Sequence, residues 1–489
     1  MMPPSLLQIL GVASFASAAA PARLHHARNR AAALSTMPPR SKTLSRARSS
    51  MRAWSEPRHL RASAWDPIYP VDFGADPTGR ADSSAGFDAA IAVLLSRGSG
   101  RTDESGTIDL GGAALDLQGG DYLLSRPLFV PSNYSNFAIY HGTVRASLTF
   151  SPADGFVVAI GSAGSYCENW GDSCTENVDL EDLMIDGSQV ANGVRFNAVI
   201  GVNAGPDIFV VNFTRVGVEM SGGHEVELHE SWVGSCWYTP PDACWLNSTA
   251  LRNTTGIAID GNDHLLNQVV VFAGQTGVSV TGAANILTAV HTWNTQVGAV
   301  PDAVGIIVST WQNRLIAPYL DYVPLILKGS AVTTVTNGFF LCSPGVIFLP
   351  DPNGYPVQGV LIANNEFVCG GDIVASAAAS SFTGLQDVTI SGNVYDNNVI
   401  HRSTVATITL TNASSPWSFD FTPHLVFDPS ANSTRIRTVS FSIVAQQGTP
   451  FFQSYALPPV AGAVTVVADR DGVVATVTCV VDQSDRTTA

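Results

Sequence analysis

The sequence has almost no lysine: Lys42 and Lys328 are the two in 489 residues. Charged residues make up 13%, about half the usual share of a soluble domain. No stretch is apolar for the ~18 residues a membrane helix needs, which excludes a spanning helix. The seven cysteines contain no Cys-x-x-Cys pair, so no zinc or thioredoxin-type motif is present. Base is scarce where it would matter. Ten of the 25 Lys/Arg and one of the 40 acids precede Asp66, leaving 15 bases against 39 acids in the body, a net −24. Such a body excludes nucleic acid as a partner.

What is abundant is glycine, 43 residues, and it recurs in rows. Gly217-Val218-Glu219-Met220-Ser221-Gly222 is echoed by Gly256-Ile257-Ala258-Ile259-Asp260-Gly261, then by Gly277-Val278-Ser279-Val280-Thr281-Gly282 and Gly305-Ile306-Ile307-Val308-Ser309. The starts are 39, 21 and 28 residues apart. A unit of this length cannot bury its own apolar face, so it must stack on its neighbours as a solenoid. Its runs are short and alternate with period two, as in β-strands. The fold class is therefore all-β, a right-handed parallel β-helix of about eleven coils at ~25 residues each, from roughly Thr107 to Asn398. Val218/Met220, Ile257/Ile259, Val278/Val280 and Ile306/Val308 should point inward. Between them Glu219, Ala258, Ser279 and Ile307 should point outward, in columns on one face of a prism. A linear polymer can lie along such a face.

The chain divides as follows. Residues 1–20 read as a signal peptide, with Leu6 to Ala20 apolar and Ala16-Ser17-Ala18 as the cleavage site. Residues 21–65 are basic, low in complexity and without apolar period, a composition that forms no core. Residues 66–400 are the β-helix. Residues 401–489 hold alternating strands such as Thr407–Leu410, Val439–Val444 and Val464–Val467, read as an antiparallel β cap on the open end. Near the start, Asp82-Ser83-Ser84 supplies a helix N-cap before an Ala-rich segment to Leu95. Six Asn-x-Ser/Thr sequons, at Asn133, Asn212, Asn247, Asn253, Asn412 and Asn432, point to a secreted glycoprotein. The close pairs Cys167/Cys174 and Cys236/Cys244 suit disulfide-closed loops, and Cys342/Cys369 can bridge neighbouring coils. Cys479 is left over.

The segment from Val71 to Ile91, with Asp72-Phe73-Gly74-Ala75-Asp76-Pro77-Thr78-Gly79 at its centre, is similar to the entry motif of the pectate-lyase-like β-helix superfamily. In that superfamily the helix closes the N-terminal end of the solenoid. Gly120–Leu128, Ser221-Gly222-Gly223-His224-Glu225, Gly261-Asn262-Asp263-His264, Leu320-Asp321-Tyr322 and Ser403–Ala406 resemble a plant branch of it, the divergent quartet-type polygalacturonases. The similarity runs from about Val71 to Pro429. It implies a secreted, pectin-active hydrolase. The sequence departs from standard polygalacturonases: it has no Asn-Thr-Asp, no late Asp-Asp pair and no Arg-Ile-Lys. Gly222-Gly223-His224 alone is similar to their histidine motif.

Glycoside hydrolysis needs two carboxyls flanking the bond, roughly 6.5–9.5 Å apart when configuration inverts. One coil step plus a short offset gives that separation. The leading pair is Glu225 with Asp263, and the alternates are Glu219 with Asp260. His224 and His264 stand beside them to orient or relay protons. Aligning the coils also places Asp207, Glu225, His264, Asn285 and Asn313 in one turn column; for the two asparagines the expected role is a polar ladder satisfying turn amides. Lys328, three coils beyond Asp260 in the same outward column, Arg314 and His291 are candidates for binding uronate carboxylates. Trp237 and Trp245, on a loop that Cys236–Cys244 would close, are candidates for stacking on sugar rings. No cofactor and no metal are expected, nor a nucleic-acid or membrane partner, and the chain is read as a monomer acting on a uronan. The competing readings are a polysaccharide lyase or epimerase on the same fold and a non-catalytic carbohydrate-binding wall protein. Organelle targeting through a two-part N-terminal address is the alternative to secretion.

Overall fold

Each glycine-led row becomes one strand of a parallel sheet. Val216–Ser221, Thr255–Ile259, Thr276–Val280 and Val304–Val308 lie side by side. They pair in register: Val218 with Ile257, Ile257 with Val278, Val278 with Ile306. Ten such strands form a front sheet that runs from Leu128–Val130 to Asp372–Ala375, and the back sheet stacks eleven layers from Ile108–Leu124 to Thr389–Ser391 and Val394–Tyr395, the eleven coils expected. The rest of each coil enters an eighteen-strand back sheet. In later coils this sheet takes two short strands per coil, such as Ile286–Thr288 and His291–Trp293. These pair in parallel with the next coil. The chain is a parallel β-helix. The computed structural model describes residues 66–484 apart from 104, 154, 168–171, 173, 237–252, 295–301, 378–380, 397–400 and 428–435.

The core lies where the rows place it. Val218, Met220, Ile257, Ile259, Val278, Val280, Ile306 and Val308 are all at most 1% exposed. Each such side chain removed from water contributes on the order of 1.5–3 kcal/mol. The leading glycines have a steric reason. A Cβ on Gly256 would meet Val271 Cγ1 from the back sheet and would lie 2.7 Å from the Gly277 carbonyl oxygen of the next coil. Neither neighbour is the end of a flexible side chain, so the wall of the prism would have to shift. Gly256→Ala should therefore destabilise the chain by ~1–3 kcal/mol, the usual cost of overpacking. An unchanged urea midpoint would show that the coils are not held this closely.

The motif that opens the body is a hydrogen-bond staple. Asp76 accepts bonds from Thr78 N and Oγ1 and from Arg80 N and Ala81 N. Asp82 accepts from Ser84 N and Oγ and from Ser125 N and Oγ, tying the start of the helix Ser84–Ser96 to the first full coil. Ser83 is the N-cap residue, but its hydroxyl accepts Asp76 N instead of bonding its own helix. The helix buries Phe87, Ala90, Ile91 and Leu94 in one cluster with Leu110 and Tyr122 of the first coils. Phe87 meets Tyr122 edge to face.

Beyond Tyr395 the pairing becomes antiparallel. Val405–Ser414, Val474–Asp482 and Thr438–Ala445 form one sheet, and Trp417–Asp420, Ala463–Ala468 and Ser454–Ala456 another. Trp417, Phe419, Val464, Val477 and Cys479 form a separate core between them. Cys479 is a free, buried thiol. Cys167 is bonded to Cys174, and Cys342 to Cys369 across one coil step, with Cα atoms 4.8 Å apart. Cys236 is disulfide-bonded; Cys244, its expected partner, lies outside the described residues. So do the leader residues 1–65 and the sequon residues Asn247 and Asn432. The sequon at Asn212 is not open to modification in the fold, because the side chain is 5% exposed and donates to Asp186.

Candidate active site on the front sheet

Two outward columns cross the front sheet. Strand register places Phe129, Ala159, Arg195, Glu219, Ala258 and Ser279 in the first. The second, two residues on, contains Asn197, Ser221, Asp260, Thr281, Ser309 and Lys328. Lys328 thus stands three strands beyond Asp260, as the row alignment predicts, or ~14 Å along the face.

Glu219 and Asp260 sit diagonally on adjacent strands. A strand step of ~4.8 Å with a two-residue rise of ~6.6 Å sets their Cα atoms about 8 Å apart. Glu219 is half-buried in the first column, and desolvation pushes its carboxyl above the ordinary value of 4.5. The nearby charge of Asp260 adds to that rise; Arg195 and a hydrogen bond from Ser221 oppose it. Asp260 is exposed and accepts a 2.8 Å bond from the Thr281 hydroxyl. Its own amide donates to the Met220 carbonyl, which fixes the strand end.

Glu225 and Asp263 are also brought together, but at the corner where the coil leaves the front sheet. The bridges around them, His224 to Asn262 and Glu227 to Leu265, make them register neighbours on successive coils. Both are exposed, and both have left-handed backbone, φ +53° and +59°. They belong to a ladder of such corners that continues through Ala284, Gln312, Val332 and Gly359. Left-handed backbone turns the chain here. Asp263 accepts from Asn262 Nδ2, which also lies 3.4 Å from His224 Nδ1.

His264 faces the other way. It is 1% exposed, and its Nδ1 accepts the Val226 amide at 3.0 Å. Its own amide donates to Asn285 Oδ1, and the amide of Asn285 donates to Asn313 Oδ1. The imidazole occupies the asparagine place in a ladder inside the turn, so it cannot touch substrate. The expected polar ladder at Asn285 and Asn313 thus takes in His264. Asp207 does not join it; it lies at a different corner, bonded to the Glu230 carbonyl. Burial, helped by the charge of His224, lowers the His264 pKa from 6.5 to about 3. The sign follows: below 6.5 the unfolded chain takes up a proton that the folded one refuses, so stability is lost as pH falls from there toward 3. His264→Asn should keep the ladder and nearly the wild-type unfolding midpoint, and should remove that acid-side loss. His264→Ala should cost ~1–3 kcal/mol through the orphaned Val226 amide. Equal destabilisation by both, measured by urea denaturation, would remove the ladder explanation.

Arg314 and His291 lie elsewhere. Arg314 is exposed on the back sheet, between Ile286 and Thr334. His291 is also on the back sheet, stacked on Tyr319 at 4.2 Å and bonded to Asp321 at 3.1 Å. Alternation within rows cannot tell the two sheets apart, because both alternate with the same period. Trp237 and Trp245 lie outside the described residues. Among the described residues no group of three or more His, Cys, Asp or Glu has metal-site geometry.

Three further residues lie in or beside the front-sheet columns. Arg195 precedes Glu219 in its column. Phe129 is 42% exposed two strands before Arg195. Tyr166, 66% exposed, stands by Gly222 on a loop tied down by the Cys167–Cys174 disulfide, by Asn197 and by the bond from Cys167 N to Gly222 O. The signal for Tyr166 was legible, since an aromatic next to a closely paired cysteine is the pattern applied to Trp237.

No family model matches the chain. A relative, polygalacturonase QRT3 of Arabidopsis thaliana, is 29% identical over 422 residues, 84% of this chain and 83% of that one. Over that length the chain is similar to a polygalacturonase, and it has a parallel β-helix fold. Among solved structures, ORF18 of Geobacillus virus E2 superposes with a TM-score of 0.52 at 12% identity, covering 83% of this chain and 78% of that one. The A-module of mannuronan C-5 epimerase AlgE4 from Azotobacter vinelandii gives a TM-score of 0.34 at 14% identity, over 67% and 94%.

Proposed function

We propose that the chain is a polysaccharide-active enzyme, a glycoside hydrolase of uronic-acid-rich polymers that acts outside the cell. The observation that carries this reading is the half-buried Glu219, with its raised pKa, set diagonally to Asp260 on an open face. A carboxyl that resists ionisation serves as general acid, while a second carboxylate across the bond activates water. In this assignment Glu219 protonates the leaving oxygen and Asp260 takes the proton from water on the opposite side of the ring. Glu225, Asp263 and His224 border the site at the corner and position substrate. Similarity to a polygalacturonase over five-sixths of both chains supports the substrate class. Disulfides suit an oxidising compartment, and no helix among the described residues is long and apolar enough to cross a membrane.

Product analysis on polygalacturonate tests the reading. New reducing ends without ultraviolet-absorbing products are expected. Unsaturated products would mean elimination and a lyase. No product from any uronan, at acid or neutral pH, would leave a non-catalytic binder.

A further inference from the structure

The front sheet carries a second feature, next to Glu219 and unassigned by the hydrolase reading. A cleft of about 510 Å³ opens on the same face. Arg126, Phe129, Phe156, Ala159 and Arg195 line it. Its floor is Ala159, which lies between Phe129 and Arg195 in the outward column. The small side chain leaves a gap one strand wide between an aromatic ring and a guanidinium.

The two arginines of the cleft differ. Arg126 is spent on Asp88, to which it makes a two-pronged ion pair. Arg195 is not. Its guanidinium lies over the Phe156 ring, 5.2 Å from the centroid. Its Nε is buried and has no hydrogen-bond partner. No carboxylate among the described residues lies within ion-pair distance of it; Glu219, the register neighbour, acts on it through charge alone. A buried N–H left without a partner costs on the order of 1–3 kcal/mol unless something fills the place. A planar guanidinium with free donors matches a carboxylate. An exposed aromatic ring about two strand steps away, ~9.6 Å, suits the apolar face of a pyranose.

We propose that this cleft is a binding subsite for one acidic sugar of the substrate, its carboxylate taken by Arg195 and its ring lying over Ala159 against Phe129. The inference rests on the polysaccharide reading and deepens it. It gives an acidic, base-poor body a local cation where a polyanion must be held. It also fixes direction: the acidic sugar sits one strand before the proposed acid, so the chain runs along the prism axis and not across it.

Binding is the test, with catalysis kept out of it. Oligogalacturonides and their carboxyl-reduced, neutral counterparts are titrated into the full chain by calorimetry. Wild type should prefer the acidic oligomer. Arg195→Gln should weaken acidic-oligomer binding by about tenfold to a hundredfold, the effect of one charge-assisted hydrogen bond, and leave neutral-oligomer binding unchanged. Arg195→Lys should recover part of the loss, because it restores charge but not the planar fork. Phe129→Ala should weaken both oligomers alike. The proposal is overturned if Arg195→Gln, folded by its unfolding midpoint, binds the acidic oligomer as tightly as wild type. It is also overturned if wild type binds both oligomers equally, or neither. A chain that hydrolyses nothing but loses acidic-oligomer affinity in Arg195→Gln would sink the hydrolase reading and keep the subsite.

Discussion

Glu219→Gln should lower turnover of a uronan by about 10²–10⁴-fold, the range for removing a general acid, with little change in substrate affinity. Glutamine keeps the shape and the hydrogen bond with Ser221 but has no proton to give. The fold should survive, since the side chain faces outward between buried Val218 and Met220. Asp260→Asn should lose as much, for the opposite reason: the amide cannot take a proton from water. A substrate with a good leaving group separates the two. It needs no acid, so Glu219→Gln should recover activity on it and Asp260→Asn should not. Glu225→Gln and Asp263→Asn are expected to keep most turnover. Their backbone makes the coil turn a corner, and asparagine in particular suits left-handed backbone. The reverse pattern, full activity in Glu219→Gln and loss in Glu225→Gln, would move the chemistry to the corner.

The preference for Glu219 over Glu225 shows what a sequence can and cannot rank. Alternation within a row was enough to say that Val218 and Met220 go in and Glu219 goes out, because a strand has only two faces. Stacking the rows was enough to place Asp260 and Lys328 in one column. Neither step fixes where the row ends and the corner begins. Glu225 and Asp263 lie a few residues past the strand, where backbone φ decides the direction of the side chain. The place of His264 is hidden for the same reason. Histidine beside two acids suggests proton transfer, yet here it imitates asparagine inside a turn. The imitation works because imidazole Nδ1, like an amide oxygen, can accept a backbone N–H. Arg195 is hard to place from sequence because it lies on the coil before the first clear row. Its strand, Asn192–Asn197, still begins Asn-Gly-Val and pairs in register with Val216–Ser221. The overall class was plain by comparison, since steric demand repeats the glycine at every coil and chemistry does not.

The pH dependence of kcat/KM should carry the signature of Glu219. Burial disfavours its charged form, so it keeps its proton to a higher pH than an ordinary glutamic acid with pKa 4.5. A general acid must be protonated to act. Activity is therefore expected to fall as pH rises through the raised pKa, with its best range on the acid side of neutrality. The same shift costs fold stability in that direction: the folded chain holds a proton that the unfolded chain releases above 4.5. Two neighbours work against the rise, and each offers a test of sign. Arg195 stabilises the carboxylate by its charge, and Ser221 by a hydrogen bond. Removing either should raise the pKa further and move the basic limb to higher pH. Arg195→Gln does this while also weakening acidic substrates. Ser221→Ala does it without touching the cleft, which makes it the cleaner variant. Removing the charge at Asp260 would act the other way, because that charge pushes the Glu219 pKa up. The profile is to be measured on a neutral, carboxyl-reduced oligomer, so that titration of the substrate does not enter. A basic limb that stays in place in both Arg195→Gln and Ser221→Ala, or moves to lower pH, would mean that the titrating acid is some other group.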